Sequence, residues 1–299
     1  MTLIYNRSIK RNVNLTLPKL ETDVSKNVSS NIQSLITRAK AFPINNEKHS
    51  DLDLVYIVRP GEINNDLRYS LRSVSKFCAY RKIWIIGFKP RWVNNVKYIH
   101  TEQNQNKWKN SMINYLAACN TPEISENFIL MNDDFFAIRP VDDWIEDCNA
   151  CLGSLEEYNE RFITLKNRSK WQYGFEYAIN LLTELKVDLH NNYELHMPMI
   201  INKQKFIGMM WLPEIQKFSE TRKVFHKRSI YKNLYPDDKP PRIIQDVKLE
   251  LYKDLQDNSN FTENWISTYD DCVCNKHYPK LNYLLTHLFP KPCKYEKPI

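Results

Sequence analysis

From residue 51 the order of apolar and polar positions is regular. LDLVYIVRP (52–60) is a β-branched, aromatic run closed by Pro60 and Gly61, which predicts a buried strand. In the following NNDLRYSLRSVSKFC, Leu67, Leu71, Val74 and Cys78 recur at spacings of four and three, the single stripe of an amphipathic helix. KIWIIGF (82–88) and VKYIH (96–100) predict a second and a third strand. KWKNSMINYLAACN predicts a helix with Trp108, Met112, Tyr115, Leu116 and Cys119 inward, and NFILMND a fourth strand. Upstream, residues 1–50 show no sustained period. They predict an extended arm with one helix, SSNIQSLITRAKAF, whose Ile32, Leu35 and Ile36 dock on the body.

Strands alternating with helices imply parallel pairing through right-handed crossovers, hence an α/β fold with an open, mostly parallel, doubly wound sheet. After Pro140 the pattern turns helix-rich and mixed: VDDWIEDCNACLGSL, RSKWQYGFEYAINLLTELK, a short strand at LHMPMIIN, a basic stretch, then IIQDVKLELYKDL, NWIST and a terminal helix, HYPKLNYLLTHLF. The division expected is an arm (1–50) and one domain (51–299). Ligands of such sheets bind beyond the carboxyl ends of the strands, where residues 59–65 and 132–134 both fall.

Composition narrows the class. Hydrophobic residues make up 42% and charged residues 26% of the 299. No apolar run approaches the ~18 residues of a membrane span, and the N-terminus lacks the pattern of a secretory signal, so a cytoplasmic protein is expected. Seven cysteines suggest reduced thiols. Cys148 with Cys151 and Cys272 with Cys274 have spacings that zinc tolerates, although small core residues explain them equally. Five glycines leave no dinucleotide fingerprint or P-loop, which disfavours kinases of those classes. The net charge is +7; between Lys203 and Arg242 ten Lys/Arg face four Asp/Glu. That stretch suits an anionic partner such as nucleic acid, or is a solvated basic face.

Candidate chemistry centres on Asp133 and Asp134, two carboxylates where the fourth strand emerges. Both stay ionised at low cost only beside a cation, and Mg²⁺ or Mn²⁺ is the simplest. Alternatively Asp133 caps the next turn and Asp134 pairs with Arg139.

The runs DLVYIVRPGEINNDLRYSLRSV, KIWIIGFKPRWV and FILMNDDFFAIRPV, followed more weakly by LHMPMIIN, IQDV and LFPKPCKYE, resemble the Stealth family of sugar-phosphate transferases in order from about Asp51 to Glu296. Where that family has Trp-Val-Asp-Gly after its first strand, this chain has Arg59-Pro60-Gly61-Glu62, a version more similar to glycosyltransferases encoded by bacteriophages. Both groups resemble metal-dependent GT-A glycosyltransferases. The resemblance implies a GT-A-like fold with the host cytoplasm as location if phage-encoded, and a metal held by Asp134, with Asp133 sharing it or orienting the donor sugar. His196 is the candidate third ligand, or a hydrogen-bonded structural residue. Lys227 and Arg228 are the candidate diphosphate clamp, or a solvated pair. Arg59, Glu62 and Asn65 would recognise base and ribose, with Arg68 and Arg72 reaching the same pocket; Arg68 suits a scaffold salt bridge almost equally. Asp246 is the candidate general base, and Trp171, Tyr173 and Trp211 are candidate stacking residues. The implied reaction is glycosyl transfer from a nucleotide sugar, UDP-linked, with hydroxymethylated DNA as the acceptor. The alternatives are sugar-phosphate transfer to a glycan and non-catalytic nucleic-acid binding. Oligomeric state stays open.

Overall fold

The computed structural model describes residues 30–42, 50–219, 224, 226–249, 263–268 and 279–297. Most of the expected arm, and Cys272 and Cys274, lie outside these residues. The first half contains α1 (Ser30–Ala41), β1 (Asp53–Val58), α2 (Asn65–Phe77), β2 (Ile83–Gly87), β3 (Lys97–His100), α3 (Lys107–Cys119), β4 (Asn127–Asn132) and β5 (Phe135–Ala137). Next come α4 (Trp144–Cys148), β6 (Ala150–Cys151), α5 (Leu155–Ile163), α6 (Lys170–Glu184), β7 (Met199–Asn202), α7 (Lys203–Met210) and α8 (Pro213–Ser219). The chain closes with α9 (Lys227–Leu234), β8 (Arg242–Ile243), β9 (Lys248–Leu249), β10 (Trp265–Thr268) and α10 (Pro279–Leu288).

The central sheet has five strands in the order β3-β2-β1-β4-β7. β1 pairs in parallel with β2 and with β4, β2 pairs in parallel with β3, and β7 runs antiparallel to β4. Alternation along β1 feeds two cores. Leu54, Tyr56 and Val58 pack on one face with Leu67, Leu71 and Val74 of α2 and with α1 and α10; Val55 packs on the other with Tyr115 and Ala118 of α3. Each fully buried aliphatic or aromatic side chain contributes roughly 1.5–3 kcal/mol relative to exposure, so this pattern fixes strand register. A three-stranded sheet, β5-β10-β9, and a two-stranded one, β6-β8, flank the main sheet.

The helical period expected over 141–155 breaks. Asp143 caps α4 through Ile145 and Glu146 backbone N–H groups, α4 stops at Cys148, and Ala150–Cys151 pair with Arg242–Ile243. Ser154 then opens α5 with a capping box to Glu157. The strand expected at LHMPMIIN shrinks to Met199–Asn202, because Pro198 has no N–H to give a ladder. Among the described residues no helix is long and apolar enough to cross a membrane.

Candidate functional site

β1 is the switch point of the sheet: β2 and β3 lie to one side of it and β4 and β7 to the other. The chains leaving β1 and β4 therefore diverge and open a crevice at their carboxyl ends. A cavity of about 630 Å³ occupies it, lined by Arg59 to Gly61 after β1, by Asn132 to Asp134 after β4, and by Gln103, Lys107 and Asn114 across from them. Three carboxylates (Asp66, Asp133, Asp134) and three cations (Arg59, Lys107, Lys248) reach it, together with His196.

Asp133 and Asp134 form the turn between β4 and β5. The Asp133 Oδ2 accepts a 2.7 Å hydrogen bond from Asn64 Nδ2, and the Asp134 Oδ2 accepts one of 3.1 Å from Ser267 Oγ on β10. Burial raises both carboxyls above the usual range. For Asp133 the neighbouring Asp134 charge adds to the rise and Asn64 and Arg59 oppose it; for Asp134 the opposing groups are His196, Lys248 and Ser267. Arg139 does not act on Asp134; that carboxylate is met by buried Ser267 and by the charges of the cavity wall instead.

His196 sits on the cavity wall on the extended segment before β7. Its Nδ1 donates to Asp246 Oδ2 at 2.6 Å, while its backbone N–H donates to Asp246 Oδ1 at 3.1 Å. Lys248 Nζ lies 3.2 Å from Nε2 and, as an ammonium, donates to it. The ring thus carries its proton on Nδ1 and turns a lone pair toward the cavity. Burial would raise the Asp246 carboxyl, but the hydrogen bonds from the His196 ring and backbone N–H, with the Lys248 charge, hold it below the ordinary value. Asp246 is not among the cavity-lining residues; it stands behind His196, which is the member of the pair on the cavity wall.

Several other sequence candidates are placed elsewhere. Arg68 and Arg72 turn away to Glu296: Arg68 Nη1 donates at 2.7 Å, and Arg72 Nε and Nη2 at 2.6 and 2.8 Å. Arg68 also stacks on Trp92. Their helix stripe points to the C-terminal segment, which sequence spacing could not reveal. Glu62 accepts from the Arg91 backbone N–H at 3.0 Å and lies outside the cavity wall, as does Asn65; the adjacent Asn64 lines it instead. Arg228 is buried and donates to the carbonyls of Tyr193 and Met197, bracing the segment that carries His196. Lys227 lies over the Tyr115 ring, and burial lowers it to about 8 against the pull of Glu194. Neither lines the cavity, so the clamp expected of Lys227 and Arg228 does not form there. Trp171, Tyr173 and Trp211 are likewise absent from its walls; Trp171 packs edge-on to Phe175.

Four of the ten basic residues of the stretch are engaged internally. Lys203 donates to the carbonyls of Thr121 and Ile124, Lys232 pairs with Asp237, Arg242 with Glu263, and Arg228 is engaged as above. Of these, only Lys232 and Arg242 meet a carboxylate. Cys148 and Cys151 are buried thiols that desolvation pushes up, and their would-be zinc partners lie outside the described residues.

For a divalent cation the fit is partial. Among the described residues no three His, Cys, Asp or Glu side chains converge in metal-holding geometry. Two adjacent carboxylates facing a polar cavity suit Mg²⁺ or Mn²⁺, which complete their shells with water and ligand phosphates rather than a closed protein cage. His196 meets Lys248 on its cavity side, so the third-ligand role expected of it is not preformed.

No protein-family model matches the chain. A 119-residue stretch is 31% identical to a capsular polysaccharide phosphotransferase of Neisseria meningitidis serogroup B, covering 35% of this chain and 31% of that protein. The chain thus spans about a third of the length of the curated relative it matches. Among solved structures, it is similar to the galactosyltransferase LgtC in complex with donor and acceptor sugar analogs (10% identity, 81% of this chain, 98% of that one, TM-score 0.45). It is also similar to the bifunctional glycosyltransferase WbbM (10% identity, 75% and 47% coverage, TM-score 0.45). A third likeness is to mouse xyloside xylosyltransferase 1 (9% identity, 83% and 96% coverage, TM-score 0.37).

Proposed function

We propose that the protein is a transferase that takes a sugar, or a sugar phosphate, from a nucleotide sugar and delivers it to a hydroxyl acceptor. The observation that carries this reading is the placement of Asp133 and Asp134 together at the switch-point crevice, with Arg59, His196 and Lys248 on the same cavity. A diphosphate needs its charge offset as it is cleaved, and this cavity offers cations beside a carboxylate pair suited to hold Mg²⁺ or Mn²⁺. Such a bound cation supplies electrophilic neutralisation of the phosphate oxygens. Asp133 and Asp134 are the residues to hold it; Arg59 and Lys248 bind the remaining phosphate charge.

The acceptor hydroxyl must lose a proton. His196, with Nδ1 fixed by Asp246, receives it at Nε2 once the Lys248 hydrogen bond yields to the acceptor. Asp246 is then a positioning residue rather than the base itself. The tautomer it imposes is the one that this step requires.

Two outcomes share this geometry. Attack at the anomeric carbon releases a nucleoside diphosphate, whereas attack at the sugar-linked phosphorus releases a nucleoside monophosphate and leaves a phosphodiester. The stretch shared with the capsular polysaccharide phosphotransferase favours the second, with a glycan as acceptor. UDP is the expected nucleotide. DNA as acceptor is the weaker proposal, since Lys203 and Arg228 are buried and Lys232 and Arg242 are paired with Asp237 and Glu263, which leaves fewer of the ten cations to meet phosphates. Incubating the protein with a panel of nucleotide sugars, Mn²⁺ and glycan or hydroxymethylated DNA, then weighing the products, separates these cases. Absence of any released nucleotide under all conditions overturns the transferase reading.

A further inference from the structure

Asn64 adopts a left-handed backbone (φ 22, ψ 70) and heads α2. Its Oδ1 accepts the Leu67 backbone N–H at 2.9 Å, and its Nδ2 donates to Asp133 Oδ2 at 2.7 Å. The two contacts settle the amide orientation: an N–H needs the oxygen and a carboxylate needs the nitrogen. Asp, Ser and Thr cap helices about as well as Asn, and Gly tolerates positive φ best. Of these, only Asn adds an amide donor able to reach past the cap. The choice of residue is therefore explained by Asp133, which lies 69 positions away, and not by the helix.

We propose that Asn64 is a positioning residue for Asp133: it ties one carboxylate oxygen to the rigid N-terminus of α2 and leaves the other to face the cavity, where a donor-bound divalent cation is held. This rests on the donor-site reading above. α2 is itself anchored by Tyr56, whose hydroxyl meets Ser70 Oγ at 3.0 Å, and by Ser70, which donates to the Phe135 carbonyl just past the carboxylate pair. Asn64 thus closes a second link between the same helix and the same turn. With the turn pinned at Phe135 and its carboxylate tied by Asn64, Asp133 gives up less freedom when it binds a cation.

The test uses the full chain, Mn²⁺ with UDP as probe, electron paramagnetic resonance to count free Mn²⁺, and thermal denaturation without metal. Asn64→Gly suits the φ and removes the whole side chain, cap included, at a small cost to the helix; Asn64→Ser keeps a cap but is too short to reach Asp133. Both are expected to melt close to wild type and to bind Mn²⁺ roughly 10- to 100-fold more weakly. Asp133→Asn is measured alongside. If it abolishes Mn²⁺ binding while both Asn64 variants bind like wild type, the positioning role is overturned and the donor site stands. If wild type binds no Mn²⁺, or Asp133→Asn binds as well as wild type, the donor-site reading falls and the role of Asn64 with it.

Discussion

His196 Nδ1 and Asp246 Oδ2 lie 2.6 Å apart across 50 residues of sequence, and the same carboxylate also holds the His196 backbone N–H. A carboxylate that grips both main chain and ring of one histidine fixes where that ring points and which nitrogen is left bare. Asp246→Asn preserves the shape but can no longer accept both bonds as an anion. Its expected effect is a fall in kcat of about 10²–10⁴-fold with KM changed little. A proportionate rise in KM at constant kcat, measured by steady-state kinetics, contradicts the positioning role.

Asp133 and Asp134 oppose each other in a buried turn, so the site is stored at a cost to the fold. In metal-free buffer Asp133→Asn is expected to stabilise the protein by roughly 1 kcal/mol, because function and stability pull apart at such sites. Thermal or urea denaturation in the presence of a chelator measures it; an equal or lower midpoint speaks against the strain.

Glu296 anchors the C-terminal segment to Arg68 and Arg72 of α2. Burial alone would raise its carboxyl, but the Arg72 hydrogen bonds, with help from Arg68, hold it below the ordinary value. A depressed carboxyl contributes stability above the unfolded value of about 4.3 and loses it as pH falls through the folded one. Glu296→Gln should therefore cost about 3 kcal/mol at pH 7. The gap from wild type should shrink as pH drops below about 4. Denaturant titrations at several pH values read both, and a pH-independent gap contradicts the ion pair.

Gly87 ends β2 with φ +107. A Cβ there would collide with the Val58 carbonyl and come within 2.6 Å of Gln103 Nε2, on the cavity wall. Gly87→Ala is expected to destabilise by roughly 1–3 kcal/mol and to weaken donor binding together with stability. An unchanged melting temperature contradicts the tight approach.

The sheet was legible because β1, β2 and β4 are apolar on both faces and the helices between them carry apolar stripes. The boundaries of β1, α2, β2 and β4 follow directly from those periods. Pairing was not: nothing local shows that β7 runs antiparallel to β4, or that α4 ends at Cys148 so that Ala150 and Cys151 can meet a strand ninety residues on. The same limit governs the site. Asp133 and Asp134 could be proposed because they stand together where a buried strand emerges; Arg59 and His196 were proposed on the family resemblance. Asn64 carried a readable signal, a capping residue before an amphipathic stripe, yet its grip on Asp133 is a tertiary fact. Lys248 stands two residues after Asp246, a spacing that sequence alone leaves unweighted. Ser267 gave no hint at all. For Arg68 the scaffold salt bridge weighed beside the pocket role is what forms, with Glu296; Arg72 joins it there instead of reaching the pocket, because helix periodicity tells which residues share a face but not what that face meets.

Calorimetric titration of UDP-sugars into wild type and Asp134→Asn, each with Mn²⁺ and with a chelator, tests most directly whether the carboxylate pair at the end of β4 receives the donor. The account predicts binding by wild type with Mn²⁺ only, and loss in the variant under both conditions. Equal affinity with and without the cation, or in both proteins, would contradict it.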